Sequence, residues 1–275
     1  MKRIIVCVLT LSSFSLFAGS EVKIPKKENF YIFLMTGQSN MAGRGKIKAE
    51  DKVPNSRVLV LSKEGVWKLA VAPLHYDKPS VAGVCIGSSF AVAIAEKKPN
   101  VTIGLVPAAC GGSSITSWVP GGYHAQTKSN PYDDAVSRTK TALKSGVLKG
   151  ILWHQGESDC GKALSVKHEK QLKELVQRFR TEFKAPSLPF IIGQLGQFES
   201  KPWSEGRKVV DRAQKKVAAD DPYGAFVSSD GLKPKSDIVH FNSKSVRKFG
   251  KRYAAAYLRI NQKFLKDVRD RCEDE

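Results

Sequence analysis

Short apolar runs and longer amphipathic stretches take turns along the chain. The runs at residues 30–36, 101–106, 149–154, 189–195 and 225–229 have the length and the β-branched or aromatic content of buried strands. Residues 87–97, 132–145, 166–183, 205–219 and 243–265 instead carry apolar positions at helical spacing. In the third of these, Leu172, Leu175, Val176, Phe179 and Phe183 form one stripe. Turn signals bound the helices: Pro99-Asn100, Gly146 and Asp220-Asp221-Pro222. Gly250 is a kink point in the last helix. Residues 57–61 and 65–69 read as a small hairpin inserted after the turn at Gly37. The alternation predicts an α/β fold, a three-layer α/β/α sandwich with a mostly parallel sheet. With 275 residues, no linker and no internal repeat, residues 21–275 read as one domain.

Polar chemistry collects where these strands end. Gly37-Gln38-Ser39-Asn40-Met41 follows the first run and puts a hydroxyl on a glycine-opened turn. Ala108-Ala109-Cys110-Gly111-Gly112 follows the second, and His154-Gln155-Gly156-Glu157-Ser158-Asp159 follows the third. Asp237-Ile238-Val239-His240-Phe241 lies in the loop after the last strand. All fall at the sheet edge where open α/β folds build their sites. A serine hydroxyl becomes a useful nucleophile only when a base takes its proton. The histidines beyond the first twenty residues are His75, His124, His154, His168 and His240. His240 has Asp237 within one turn of chain, close enough to hold one ring nitrogen while the other faces Ser39.

Together these segments resemble the SGNH/GDSL-type hydrolases. More closely, they are similar to the sialate O-acetylesterase and carbohydrate esterase family six group, which includes acetylxylan esterases. The likeness rests on the segment from Gly37, on residues 107–115 around Gly111-Gly112, and on the segments from His154 and from Asp237. The resemblance implies Ser39 as nucleophile, His240 as general base and Asp237 as the acid that orients it. It implies oxyanion donors at the Ser39 N–H, at Gly111-Gly112 with Gly112 preferred, and at the Gln155 side chain, which stands where the wider superfamily has asparagine. Glu157 takes either a supporting catalytic role, which the resemblance favours, or a helix-capping one. His154 is expected in the site wall. Gln38 and Asn40 are expected to fix the turn, with Asn40 also lining the pocket. Trp118 and Tyr123 have two readings, stacking on a sugar ring or packing on the sheet edge. No cofactor is expected. No metal is expected either: His154, Glu157, Asp237 and His240 are donor types, but the chain has no H-E-x-x-H helix.

The ends of the chain and its charge refine this picture. Lys2 and Arg3, a mostly apolar stretch over residues 4–17, and Ala18-Gly19-Ser20 read as a signal peptide over residues 1–20; a retained anchor is the alternative. The expected location is secreted or periplasmic, with no stable membrane insertion after cleavage. Export permits disulfides among Cys85, Cys110, Cys160 and Cys272. Cys110 and Cys160 each adjoin a chemical segment, so they form either a bridge or buried thiols. The formal charge is +19, or +17 without Lys2 and Arg3. Lys167, Lys170, Lys173, Arg178, Arg180 and Lys184 decorate one helix, opposite its apolar stripe. That arrangement reads first as a solvated exterior, and second as attraction to an acidic or sulfated polysaccharide. No zinc-finger spacing or RNP-like aromatic motif is present, so nucleic acid is not an expected partner. The function expected is a secreted O-acetylesterase on an acetylated oligo- or polysaccharide, of acetylxylan or sialic-acid type. The alternatives are a catalytically silent glycan-binding domain, and a lipase or thioesterase of the same superfamily.

Overall fold

The computed structural model describes residues 22–273; the signal-peptide segment lies outside them. Seven strands form one sheet: β1 (Phe30–Gly37), β2 (Val58–Leu61), β3 (Trp67–Leu69), β4 (Thr102–Pro107), β5 (Val147–His154), β6 (Phe190–Gly193) and β7 (Gly224–Val227). Their order is β3-β2-β4-β1-β5-β6-β7, and every pairing is parallel except β2 with β3. The helices are α1 (Ser39–Ala42), α2 (Ile86–Lys97), α3 (Pro131–Ala142), α4 (Lys162–Ser165), α5 (His168–Glu182), α6 (Glu205–Ala219) and α7 (Ser243–Glu273).

The side chains of β1 show why the sheet is covered on both faces. A strand points successive residues to opposite sides. Phe33 and Met35 enter one core with Phe90 of α2 and Phe249 and Tyr253 of α7. Phe30, Ile32 and Leu34 enter the other with Trp153, Leu172 and Phe179. Both faces of β1 therefore need apolar residues, which produces an unbroken apolar run instead of alternation. The result is the expected α/β/α sandwich.

Two sequence readings gain detail in the structure. The 57–61 and 65–69 hairpin is present, and β2 also pairs in parallel with β4, so the hairpin extends the main sheet. All four residues of β2 are buried, as a strand inside a layered sheet requires. Gly250 serves a close contact, and α7 continues as helix through it. A Cβ there would stand 2.1 Å from Ser89 Oγ and 2.3 Å from the Ile86 carbonyl oxygen. The missing side chain lets α2 and α7 approach.

From β1 the chain builds outward on both sides, through β4 and β2 one way and β5 to β7 the other. The crevice of such a sheet opens at the carboxyl end of the strand where the direction reverses. There Gly37 adopts φ +116, and a Cβ on it would lie 2.1 Å from the His154 carbonyl oxygen. The Gln38 N–H donates to that same carbonyl at 2.8 Å, and the Cys110 N–H donates to Gly37 O at 2.8 Å. The ends of three neighbouring strands are thereby tied together.

Candidate active site

Ser39, His240 and Asp237 meet at this crevice. Ser39 Oγ is 2.9 Å from His240 Nε2, and His240 Nδ1 is 2.9 Å from Asp237 Oδ2. An ionised carboxylate only accepts, so Nδ1 carries the proton and donates it to Asp237. In a neutral ring Nε2 is then the acceptor for the Ser39 hydroxyl. Asp237 Oδ1 accepts from the N–H groups of Val239 at 2.9 Å and His240 at 2.8 Å. Partial burial works against ionisation of Asp237, but these two N–H groups and the His240 ring outweigh it and hold the carboxyl far below its usual range. The short turn between acid and base puts Ile238 at φ +49, a left-handed conformation that a β-branched residue rarely adopts.

The glycine turn after β4 is held on three sides. The Gly111 N–H donates to Asp77 Oδ2 at 2.8 Å, Gly111 O lies 3.2 Å from His124 Nε2, and Ser158 Oγ donates to Gly112 O at 2.9 Å. Asp77 is itself locked by Arg44, 2.6 Å away in a pair with almost no exposure. Burial raises the Asp77 pKa, but the bond and charge of Arg44, then His75 and the Gly111 N–H, bring it below the usual value. Gly111 has thus spent its donor. Among the described residues neither the Gly112 nor the Ser39 N–H has an acceptor. Gly112 has φ +88, a conformation suited to glycine.

The third strand end departs from expectation. Gln155 is 0 % exposed, and its Nε2 donates to Ser113 O at 3.1 Å and to Asp159 Oδ2 at 2.7 Å. Both amide hydrogens are spent on the framework, so in this geometry the side chain offers no donor to an oxyanion. Gln38 is arranged the other way. Its Oε1 accepts from the N–H groups of Gly156 at 3.2 Å and Ser158 at 3.4 Å. Its Nε2 has no acceptor among the described residues and is not sealed from solvent, although the residue is only 3 % exposed. A side chain expected to fix the turn does so with its oxygen and leaves its amide without an acceptor among the described residues.

His154 is not a wall residue. It is fully buried, with its ring edge-on to Phe241 and Phe249 and Nδ1 3.4 Å from the Tyr253 hydroxyl. Its Nε2 lies 3.6 Å from Glu157 Oε1. That oxygen also accepts from Asn40 Nδ2 at 2.7 Å. Asn40 Nδ2 donates further to Val239 O at 3.3 Å, while Asn40 Oδ1 accepts the Phe241 N–H at 3.1 Å. Asn40 therefore grips the backbone on either side of His240, and Glu157 steadies Asn40. Burial opposes charge on Glu157, but the nearby His154 ring, then Arg207 and the Asn40 amide, lower its pKa to about 2.

The open alternatives also resolve in part. Cys85, Cys110 and Cys160 are free thiols, and burial pushes Cys110 and Cys160 up to about 11. Cys110 Sγ instead lies 3.6 Å from Ser129 Oγ. The side chain of Cys272 lies outside the described ones. Trp118 is buried edge-on against Trp153 and donates Nε1–H to Ser113 Oγ, so it packs and does not stack on a sugar. Tyr123 is 59 % exposed. Among the described residues no group of His, Cys, Asp and Glu converges to hold a metal ion, and no helix is long and apolar enough to cross a membrane. Sequence reasoning missed Asp77 and Arg44, which carry no motif and reach Gly111 from 34 or more residues away.

Residues 29–259 match the family described as carbohydrate esterase, sialic acid-specific acetylesterase. The chain belongs to this family. A probable carbohydrate esterase of Arabidopsis thaliana is 32% identical over 259 residues, covering 86% of this chain and 94% of that one. The X-ray structure of that plant protein has a TM-score of 0.73, at 32% identity over 83% of this chain and 97% of the other. NanS, at 19% identity and a TM-score of 0.64, covers 87% of this chain and 100% of its own and shares the fold. So does a carbohydrate acetylesterase from Xanthomonas citri, at 23% identity and a TM-score of 0.63, over 82% of this chain and 55% of that one. Membership makes this protein a carboxylic ester hydrolase of the carbohydrate esterase class, built on the SGNH-type fold.

Proposed function

We propose that this protein is an exported O-acetylesterase that removes acetyl groups from the hydroxyls of an oligo- or polysaccharide. The observation that carries the reading is the hydrogen-bonded line from Ser39 Oγ through His240 to Asp237. Ser39 Oγ attacks the acetyl carbonyl as His240 Nε2 takes its proton. The developing oxyanion receives the free N–H groups of Ser39 and Gly112. The Gln38 amide supplies the third donor, in place of the occupied Gln155 amide. The imidazolium then protonates the departing sugar oxygen, and the acetyl group stays on Ser39. Water, deprotonated by His240, attacks the acetyl-enzyme and releases acetate. Export is supported by the basic, apolar and small-residue order of residues 1–20. The class test is acetate release from 4-nitrophenyl acetate and from acetylated glycans. Activity that vanishes in Ser39→Ala is expected; equal rates in Ser39→Ala would overturn the mechanism.

A further inference from the structure

A second concavity adjoins the glycine turn. Lys78 Nζ donates to Gln126 Oε1 at 2.7 Å. Gln126 lies against Gly112, with its Oε1 2.6 Å from where a Cβ would stand, and Lys78 Cδ lies 3.6 Å from the matching position on Gly111. This bridge borders the turn whose Gly112 N–H is free. Chain neighbours of both bridge residues line a cavity of about 370 Å³. Asp77, which precedes Lys78, and Thr127 and Lys128, which follow Gln126, line the cavity, as do the last residues of the β4 strand end. Neither Ser39 nor His240 does.

The cavity suits a hydroxyl-rich occupant. Its volume falls within the range of about 300–1,000 Å³ usual for small-molecule sites. Thr127, Ser129 and Ser137 bring hydroxyls to its wall, with Tyr76 beside them. His75 also lines it, with a ring that is 4 % exposed and nitrogens that are buried and without a hydrogen-bond partner. The bridge keeps free donors: two N–H on Lys78 and the amide of Gln126.

We propose that this cavity is a subsite for the sugar unit adjoining the acetylated one, with Lys78 and Gln126 spanning the linkage. The substrate class is then an acetylated oligosaccharide or polysaccharide, in preference to a free monosaccharide ester. The inference rests on the O-acetylesterase reading above. Its test compares kcat/KM for paired mono- and trisaccharide acetates of xylose, glucose, galacturonic acid and sialic acid. In at least one series the trisaccharide is expected to be favoured at least tenfold. Ser137→Trp, at an exposed position of α3 on the cavity wall, is expected to bring that ratio near one, and Lys78→Ala or Gln126→Ala to reduce it severalfold. Absence of a size preference in every series, or a preference that survives all three substitutions, would overturn the subsite. Failure of the wild type on 4-nitrophenyl acetate would instead overturn the esterase reading on which it rests.

Discussion

Replacing Asp237 with asparagine isolates the acid's effect on the His240 ring. The asparagine carbonyl can still accept the Val239 and His240 N–H groups that Oδ1 accepts now, so the loop stays formed. Its amide group would face His240 Nδ1, where Oδ2 now sits 2.9 Å away. Two donors cannot pair, and the ring responds by moving its proton to Nε2. That nitrogen, 2.9 Å from Ser39 Oγ, would then present a hydrogen where an acceptor is needed. For a buried acid this change costs about 10,000-fold. The Asp237 side chain is 39 % exposed, so water can compete at Nδ1 and retain some of the productive tautomer. The expected loss in kcat/KM is therefore about 1,000- to 10,000-fold, on the order of 4 to 5 kcal/mol of transition-state stabilisation. The assay is kcat/KM on an aryl acetate, with thermal unfolding measured alongside and Glu157→Gln as comparison. Glu157 acts through Asn40, and its amide is expected to cost about tenfold or less. A drop smaller than tenfold in Asp237→Asn with an unchanged Tm would refute the reasoning. A dead Glu157→Gln beside a near-normal Asp237→Asn would place the orienting carboxylate at 157.

Gln38→Ala is expected to lower kcat by about 100- to 1,000-fold with little change in KM, as loss of one oxyanion donor does; Gln155→Ala is expected to lower Tm through its broken contacts to Ser113 and Asp159 and to affect kcat less. A normal kcat in Gln38→Ala would return the donor role to another group. Glu157 has a folded pKa of about 2 against an ordinary 4.5, so its contribution is fully present above about pH 4.5 and lost as pH falls toward 2. Unfolding free energies from urea titrations at pH 5 and pH 3 are expected to fall less in Glu157→Gln than in wild type, by an amount on the order of 2 kcal/mol over that interval; parallel slopes would remove Glu157 from the acid response.

The fold was legible because its strands are short, apolar and followed by glycine or polar motifs. β1, β4, β5, β6 and β7 fall within two residues of their expected bounds, and α6 matches at both ends. The pairing of β2 with β4 was not legible, since a hairpin's sequence specifies its turn and not the third strand it joins. At the site, the convergence of Ser39, Asp237 and His240 was readable from local spacing and resemblance. The orientation of an amide was not. Gln155 and Gln38 carry the same group, and only the positions of Asp159 and of the Gly156 and Ser158 N–H groups decide which one is free. His154 was misplaced because a strand's last residue can face solvent or core, and here Phe249 and Tyr253 arrive from α7 to cover it.

The hydroxyl and its base are separated by 201 positions along the polypeptide. Every strand after the first must be laid down before they can meet, and loop closure over such a distance is slow compared with local helix formation. Recovery of ester hydrolysis after dilution from denaturant is therefore a clock for the last assembly event. Circular dichroism, which reads the helices, should return earlier than catalysis. The lag between the two signals would measure how long the chain exists as a nearly complete sandwich that cannot yet turn over an ester.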